Sequence, residues 1–274
     1  MVSHLSQCLE IQELPRPARA YSICTLVTDR KEYEAFVDSC VEKGFTLEDC
    51  EFLYADNTAG NRYDAYAAYN AFLLGARGAY LILCHQDILM AYDDRAKLDR
   101  VIAEMNALDP NWAVLGNAGG LENSELRLRI SDPHGENRGL GPLPAKAQTL
   151  DENFLLLRRS ANLGFSRDLT GFHFYGADIC LVAELLGHSS YVVDFHLRHL
   201  SGGKLNLHFA DARTQIAEKY SAALRPRWVR TTCTAFFITG NRWVSRLLNA
   251  NFGLRWIRRY PAEIRRATRW LGLC

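Results

Sequence analysis

The sequence YLILCHQDILM, residues 80–90, begins as an apolar run and turns polar at His85, Gln86 and Asp87. A short continuous run of apolar residues is typical of a strand that is buried on both faces. The pattern therefore predicts a buried β-strand that ends on three polar side chains. What those side chains bind depends on the segments around them.

The segments before this strand alternate between strand-like and helical patterns. YSICTLVT (21–28) and CEFLYADN (50–57) read as buried strands, and NRYDAYAAYNAFLLGARG (61–78) has apolar residues at helical spacing. With the helical segment between the first two strands, the order β-α-β-α-β predicts an α/β fold with a mostly parallel central sheet flanked by helices. Ligands collect beyond the carboxyl ends of such strands, so we expect Asp56 and Asp87 to face one cleft.

The alternation continues with a predicted helix at about 93–107 and a strand at 112–117, and then the composition changes. Residues 118–147 are rich in glycine and proline, and only ELRLRI among them alternates like a strand. This composition predicts a long irregular excursion, which is either a lid or binding loop or a disordered insertion. Order returns at 149–160, and a single strand is predicted within 189–204.

Five segments along the chain together resemble glycosyltransferases of the GT-A fold: ADN (55–57), YNAFLLGARGAYLILCHQD (69–87), LDENFLLLRRS (150–160), GFHFYGADICLVAELLG (171–187) and HLSGG (199–203). The chain is more narrowly similar to the family-2-like branch with streptomycin-biosynthesis-type members, which carry HQD where most relatives have an Asp-x-Asp triplet. The resemblance implies a Rossmann-like GT-A catalytic domain at 21–210. An irregular lead-in (1–20) would precede it, and a helical basic extension (211–274) would follow it.

In this family, the triplet after the third strand binds a divalent metal that bridges the two phosphates of the donor. The resemblance therefore implies that Asp87 is a metal ligand for Mn²⁺ or Mg²⁺, since hard cations prefer carboxylate oxygens. It also implies His199 as a metal ligand. The donor-binding residues that it implies are Asp56, Asn57, His85, Gln86 and Asp87. From the residue types alone, Asp56 and Asp87 could instead cap turns, and His199 could be a structural histidine.

Asp178 lies in the first turn of a helix predicted to start near Tyr175 and to end at Gly187. In inverting relatives, an acid at the matching position is the catalytic base, which takes the proton of the acceptor hydroxyl during a single displacement. The family usually has two acids in tandem here, whereas this chain has Ala177 before Asp178. The alternative is that Asp178 only stabilises the helix through its interaction with the helix dipole. The residues implied for the acceptor or sugar pocket are Asp151, Glu152 and His173.

The last fifty residues have a composition of their own. From Arg225 onward there are eleven arginines and one acid, Glu263, so the segment carries about +10 while the whole chain carries +1. RWVSRLLNANFGLRWIRR (242–259) is amphipathic, and Pro261 can begin a second helix. Arginine-rich helices with tryptophan suit an anionic membrane surface, and packing on the catalytic domain is the alternative. We expect no nucleic-acid partner, because no reading motif is visible.

The remaining composition is that of a globular protein, with 48% hydrophobic and 23% charged residues. No apolar run approaches the roughly 20 residues that cross a bilayer, and the first twenty residues lack the pattern of a secretory signal. The cysteines are scattered without a C-x-x-C pair, as expected for reduced thiols. We therefore expect a cytoplasmic protein, either free or peripheral on the cytoplasmic face of the membrane.

These features support one functional hypothesis and two alternatives. The hypothesis is a metal-dependent, inverting, hexosyltransferase-like glycosyltransferase of polysaccharide biosynthesis. It would move a sugar from a nucleotide-diphosphate sugar to a hydroxyl of a glycan or lipid-linked acceptor. One alternative is a retaining or nucleotidyl-transferring sugar-nucleotide enzyme. The other is a catalytically inactive GT-A-like domain that binds a glycan or a membrane.

Overall fold

A computed structural model describes residues 17–122, 124–202, 207–250, 259–270 and 272. The chain divides into two compact units, residues 1–212 and residues 213–274. The irregular lead-in predicted for residues 1–20 lies almost entirely outside the described residues.

The first unit alternates strands and helices along most of its length. Its elements are β1 (Arg19–Val27), α1 (Arg30–Glu42), β2 (Cys50–Asp56), α2 (Ala65–Gly75), β3 (Gly78–Cys84), β4 (Ile88–Leu89), α3 (Arg95–Leu108), β5 (Trp112–Gly116), β6 (Ala118–Gly120), β7 (Leu126–Asp132), β8 (Gly135–Leu140), β9 (Ala145–Ala147), β10 (Thr149–Leu150), β11 (Phe154–Arg158), α4 (Tyr175–Leu185), β12 (Ser189–Val192) and β13 (Leu197–His199). Helix α5 (Leu207–Leu224) follows, and the second unit continues with β14 (Arg227–Arg230), β15 (Ala235–Ile238), α6 (Arg242–Leu248) and α7 (Pro261–Trp270).

The central sheet confirms the predicted α/β class. Its strand order is β2-β1-β3-β11-β5-β12-β9, and β11 and β9 run opposite to the five other strands. The apolar run of β3 lies in the middle of this sheet, where Ile82, Leu83 and Cys84 are fully buried. The sheet therefore holds the residues after β3 at the same edge as the carboxyl ends of β1 and β2.

Aspartates start the helices α1, α2 and α3. Asp29, Asp64 and Asp94 each accept hydrogen bonds from backbone N–H groups in the first turn. Helix α4 differs, because Phe174 precedes it in the left-handed region (φ 64°) and makes no side-chain cap bond. The cap of α4 comes instead from Glu152, in the link between β10 and β11, which accepts the N–H of Gly176.

The irregular excursion predicted for residues 118–147 is wrong. These residues form β6, β7, β8 and β9, and three of the four belong to a second sheet of order β10-β6-β7-β13-β4, with β8 paired to β7. The strands are partly exposed, so they lack the apolar run that marks a buried strand. The glycines serve close packing, since a Cβ on Gly119 would lie 2.3 Å from the carbonyl oxygen of Thr149.

The single strand predicted within 189–204 is also divided. Strand β12 pairs with β5 in the central sheet, and β13 pairs with β4 and β7 in the second sheet. Val193 and Phe195, in the link between them, are buried like strand residues. The apolar pattern therefore continues across the crossing from one sheet to the other.

The basic tail is only partly helical. Strands β14 and β15 form an antiparallel hairpin that the sequence did not predict, in which the rings of Trp228 and Phe237 lie 5.2 Å apart. Helices α6 and α7 follow, while residues 251–258 of the predicted amphipathic helix lie outside the described residues. No helix in the described part of the chain combines the length and the apolar character that crossing a membrane requires.

Candidate active site

Three side chains meet beyond the carboxyl end of β3. The Asp87 carboxylate lies 3.3 Å from His199 Nε2 and 3.9 Å from His85 Nδ1, and the two imidazole nitrogens are 3.5 Å apart. Residues 85 and 87 follow β3 directly, and His199 ends β13, which pairs with β4 opposite Ile88. The structure thus brings together the two predicted metal ligands and the first residue of the triplet.

Neighbouring groups fix the orientation of this cluster. His85 Nε2 lies 2.8 Å from the Tyr175 hydroxyl, and this contact turns Nδ1 toward Asp87 and His199. The backbone N–H of Leu200 donates to the carbonyl of Asp87, which holds the end of β13 against the triplet. The cluster is therefore preorganised by residues from three separate elements.

The three side chains differ in their protonation. Burial lowers the pKa of His85, and the positive charge of His199 adds to this effect. Although burial opposes ionisation of Asp87, hydrogen bonds from His199 and Ser201 hold its pKa well below the usual range. Burial also opposes the charge on His199, but the Asp87 carboxylate outweighs it and raises the pKa of His199. An ionised carboxylate thus lies between one neutral and one readily protonated imidazole.

This donor set fits a divalent cation. One suitable atom from each of the three residues lies within 4.8 Å of the others, and all three residues are partly buried. Imidazole nitrogens with a carboxylate are common ligands of divalent transition metals, whereas Mg²⁺ prefers oxygen ligands alone. The cluster is a candidate divalent-metal site whose chemistry fits Mn²⁺ better than Mg²⁺.

A cavity of about 190 Å³ opens beside the cluster. Its lining comes from β1, α2, the residues after β3 and the start of α4: Leu26, Thr28, Ala65, Tyr69, Cys84, His85, Gln86, Asp87, Phe172 and Tyr175. It lies at the edge of the sheet where ligands of open α/β folds collect. The sequence did not single out Tyr175 or Phe172, because an aromatic residue near a helix start carries no specific signal.

Gln86 is already committed to protein partners. Its amide oxygen accepts the backbone N–H groups of Thr28 and Asp29, and its amide nitrogen donates to Thr28 Oγ1 and Glu32. The side chain thereby ties the loop between β1 and α1 to the triplet. Its implied contact with the donor stays a prediction.

Asp56 and Asn57 lie at the same sheet edge, outside the lining of the cavity. Asp56 accepts the backbone N–H and the hydroxyl of Thr58 and pairs with Arg30, which together lower its pKa. Asn57 is buried, and its amide exchanges hydrogen bonds with the backbone of Tyr63. Asn57 therefore holds the loop after β2 together, and the nucleotide contacts implied for both residues stay predictions.

Asp178 is fully buried, with 0% of its surface exposed. Its carboxylate accepts hydrogen bonds from the backbone N–H of Ser166 at 2.8 Å and from the Ser166 hydroxyl at 2.6 Å. These contacts tie α4 to the loop that precedes it. The role of catalytic base that the resemblance implies for Asp178 stays a prediction, and it would need the loop at Ser166 to open.

The three residues implied for the acceptor or sugar pocket lie around the start of α4. Asp151 is exposed, and its carboxylate accepts the backbone and amide N–H groups of Asn153. Glu152 is partly exposed and caps α4 at Gly176, as described above. The ring of His173 packs edge-on against Phe209 with centroids 5.3 Å apart. Their contact with a sugar stays a prediction.

The amino-acid sequence of the chain is similar to that of a known protein over most of its length. Over 219 residues it is 37% identical to the "ATP synthase subunits region ORF 6" protein of Fuscovulum blasticum, a match that covers 77% of this chain and 87% of that protein. The chain belongs to the family of this ORF 6 protein. No protein-family model matches the chain.

The fold of the chain itself is that of GT-A glycosyltransferases. It is similar to the crystal structure of S. aureus TarS with a TM-score of 0.50 and 12% identity, over 75% of this chain and 39% of TarS. A second similarity, with a TM-score of 0.49 and 14% identity, is to the mannosyltransferase PcManGT from Pyrobaculum calidifontis in complex with GDP-Man and Mn²⁺. That match covers 77% of this chain and 66% of PcManGT. The chain thus spans less than two thirds of either solved structure.

Proposed function

We propose that the protein is a metal-dependent, inverting glycosyltransferase that transfers a hexose-like sugar from a nucleotide-diphosphate sugar to a hydroxyl of a glycan or lipid-linked acceptor. The observation that carries the proposal is the cluster of His85, Asp87 and His199 beside a cavity, at the ligand-binding edge of a GT-A fold. On the HQD triplet, we also assign the chain to the streptomycin-biosynthesis-type branch.

Different residues of the site would bind the metal, bind the nucleotide and deprotonate the acceptor. His85, Asp87 and His199 would hold the metal, which offsets the charge that develops on the leaving diphosphate. The loop between β1 and α1, held by Gln86, would flank the nucleotide together with Asp56. Inversion in one displacement also requires a base for the acceptor hydroxyl, and two carboxylates lie at the start of α4, on Asp178 and on Glu152.

One observation favours a second candidate function. Because Asp178 is buried and paired with Ser166, a chain that relied on Asp178 as its only base would be inactive in this conformation. The second candidate is therefore a GT-A-like domain that binds a glycan or a membrane without turnover.

The first prediction concerns nucleotide binding by the purified protein. Calorimetric titration with UDP, GDP, dTDP and CMP is expected to show one preferred nucleotide whose affinity rises at least tenfold with Mn²⁺. Mg²⁺ is expected to give a smaller gain, because two of the three ligands are imidazoles. Release of nucleotide from the matching sugar donor then separates an enzyme from a domain that only binds. The absence of any metal-dependent nucleotide binding would contradict the proposed function.

We propose in addition that the tail meets an anionic membrane surface, which would place a cytoplasmic enzyme next to a lipid-linked acceptor. Trp243 and Trp270 are 77% and 86% exposed, and Leu247, on the same helix as Trp243, is 59% exposed. Arg242 and Arg246 flank these apolar groups on the same helix as Trp243. Exposed tryptophan beside arginine is the combination that anionic lipid headgroups favour.

The second prediction tests this surface with vesicles. The protein is expected to sediment with phosphatidylglycerol-containing vesicles and not with pure phosphatidylcholine vesicles, and less so at high salt. Replacing both Trp243 and Trp270 with alanine is expected to lower the bound fraction at least tenfold. Leu74→Ala, which removes an equally exposed apolar side chain from α2, serves as the control. Equal binding to both lipids, or no effect of the double variant, would overturn the membrane proposal.

A further inference from the structure

A general base must reach the hydroxyl that it deprotonates. Both carboxylate oxygens of Asp178 already accept hydrogen bonds from Ser166, and the side chain has no exposed surface. Within the described residues, a second carboxylate reaches the start of α4, that of Glu152 in the link between β10 and β11.

The glycine at position 176 leaves room for the Glu152 side chain. Glu152 Oε1 lies 3.2 Å from the backbone nitrogen of Gly176, which donates to it. A Cβ at position 176 would lie 3.1 Å from Glu152 Cγ and 2.3 Å from the carbonyl oxygen of Leu150. A side chain at position 176 is thus excluded, and the Glu152 side chain from the β10–β11 link lies against this position instead.

The Glu152 segment is connected to the metal cluster through hydrogen bonds. The Tyr175 hydroxyl donates to the carbonyl of Glu152 at 3.3 Å and lies 2.8 Å from His85 Nε2. The backbone N–H of His85 donates to the carbonyl of Asn153, the next residue. Glu152 is therefore linked to the cluster through one side chain, that of Tyr175, which lines the cavity.

We propose that Glu152 is the catalytic base of the transfer reaction. A carboxylate oxygen of Glu152 takes the proton from the acceptor hydroxyl while that oxygen forms its bond to the anomeric carbon. The bond from this carbon to the diphosphate oxygen breaks, and the electron pair leaves with the nucleoside diphosphate. This inference rests on the proposed function and replaces Asp178 in the role of base.

The surroundings of Glu152 suit a base that works near neutral pH. Removal from water raises its pKa to about 8, and the charge of Asp151 acts in the same direction. The N–H groups of Gly176, Tyr175 and Phe174 act in the opposite direction. Other titratable groups that interact with Glu152 are the hydroxyls of Tyr175 on α4 and Tyr69 on α2. Because the ionised form is the base, turnover should rise with pH until about 8 and then level off.

The third prediction compares Glu152→Gln with Asp178→Asn and the parent. The readout is nucleotide release with water as acceptor from UDP-glucose, UDP-N-acetylglucosamine, GDP-mannose and dTDP-glucose. Glu152→Gln is expected to lower turnover about 100-fold and to lose the rise toward pH 8, while nucleotide affinity with Mn²⁺ changes less than threefold. Its amide oxygen can still accept the N–H of Gly176, so the cap of α4 is kept. Glu184→Gln, an exposed change on the same helix, serves as the control.

The outcomes separate the two proposals. An active Glu152→Gln enzyme with an unchanged pH profile would overturn the role of Glu152 and leave the glycosyltransferase intact. A folded Asp178→Asn protein that loses more turnover than Glu152→Gln would return the role to Asp178. A parent that neither binds nucleotide nor releases it from any donor would overturn the proposed function and the assignment of Glu152 together.

Discussion

Replacing Asp87 with alanine is expected to remove the Mn²⁺-dependent part of nucleotide binding and to lower donor turnover about 1000-fold, equivalent to about 4 kcal/mol. Asp87 supplies the carboxylate of the metal cluster and lies within 3.3 Å of His199 and 3.9 Å of His85. The two imidazoles that remain lack the negative charge that holds a divalent cation against a diphosphate. Metal affinity and transition-state stabilisation should therefore fall together.

Two measurements check this prediction independently of each other. Electron paramagnetic resonance of free Mn²⁺ reports metal binding without any donor, and nucleotide release reports turnover. Asp109→Ala is a matched control, because Asp109 also has a lowered pKa and accepts hydrogen bonds from Asn111 and Tyr191, but it lies before β5 at the opposite edge of the sheet. If Asp87→Ala binds Mn²⁺ as the parent does, the cluster is a hydrogen-bonded strand ending and not a metal site.

The central sheet was predictable from sequence because its strands are buried on both faces. Each such strand is a short apolar run, such as YLILC at residues 80–84, and the aspartates at 29, 64 and 94 cap the helix starts. The second sheet lacked these signals, since its strands are partly exposed and contain glycine. The hairpin of β14 and β15 was missed for a similar reason, because the basic composition of the tail concealed two four-residue strands.

The candidate site was predictable where it depends on the order of residues along one strand, and less so where it depends on contacts between segments. His85 and Asp87 follow strand β3, His199 ends strand β13, and strand pairing brings them together. The burial of Asp178 depends on Ser166, which lies in a loop without a periodic pattern. Glu152 can pack against α4 because Gly176 has no side chain. A glycine in a helical sequence pattern does not show which residue packs against it.

Gly176→Ala is expected to destabilise the protein by about 3 kcal/mol, because the added methyl group meets backbone that cannot move cheaply. Its Cβ would lie 2.3 Å from the carbonyl oxygen of Leu150, a residue held in place by the pairing of β10 with β6. For a chain of this size, that loss corresponds to a fall in melting temperature of roughly 9 °C. Thermal unfolding followed by circular dichroism gives the measurement.

Gly75→Ala is the matched control for this change. Gly75 ends helix α2, and a Cβ there would meet no atom within 4 Å, so alanine should raise stability by about 0.5 kcal/mol through helix propensity. Equal melting temperatures for both variants would show that α4 can shift away from Leu150. The substitution should also displace Glu152, because the added methyl group would lie 3.1 Å from Glu152 Cγ. In the fraction that stays folded, Gly176→Ala should therefore lower turnover while Mn²⁺ binding at Asp87 is retained, because the base and the metal ligands are held by different elements.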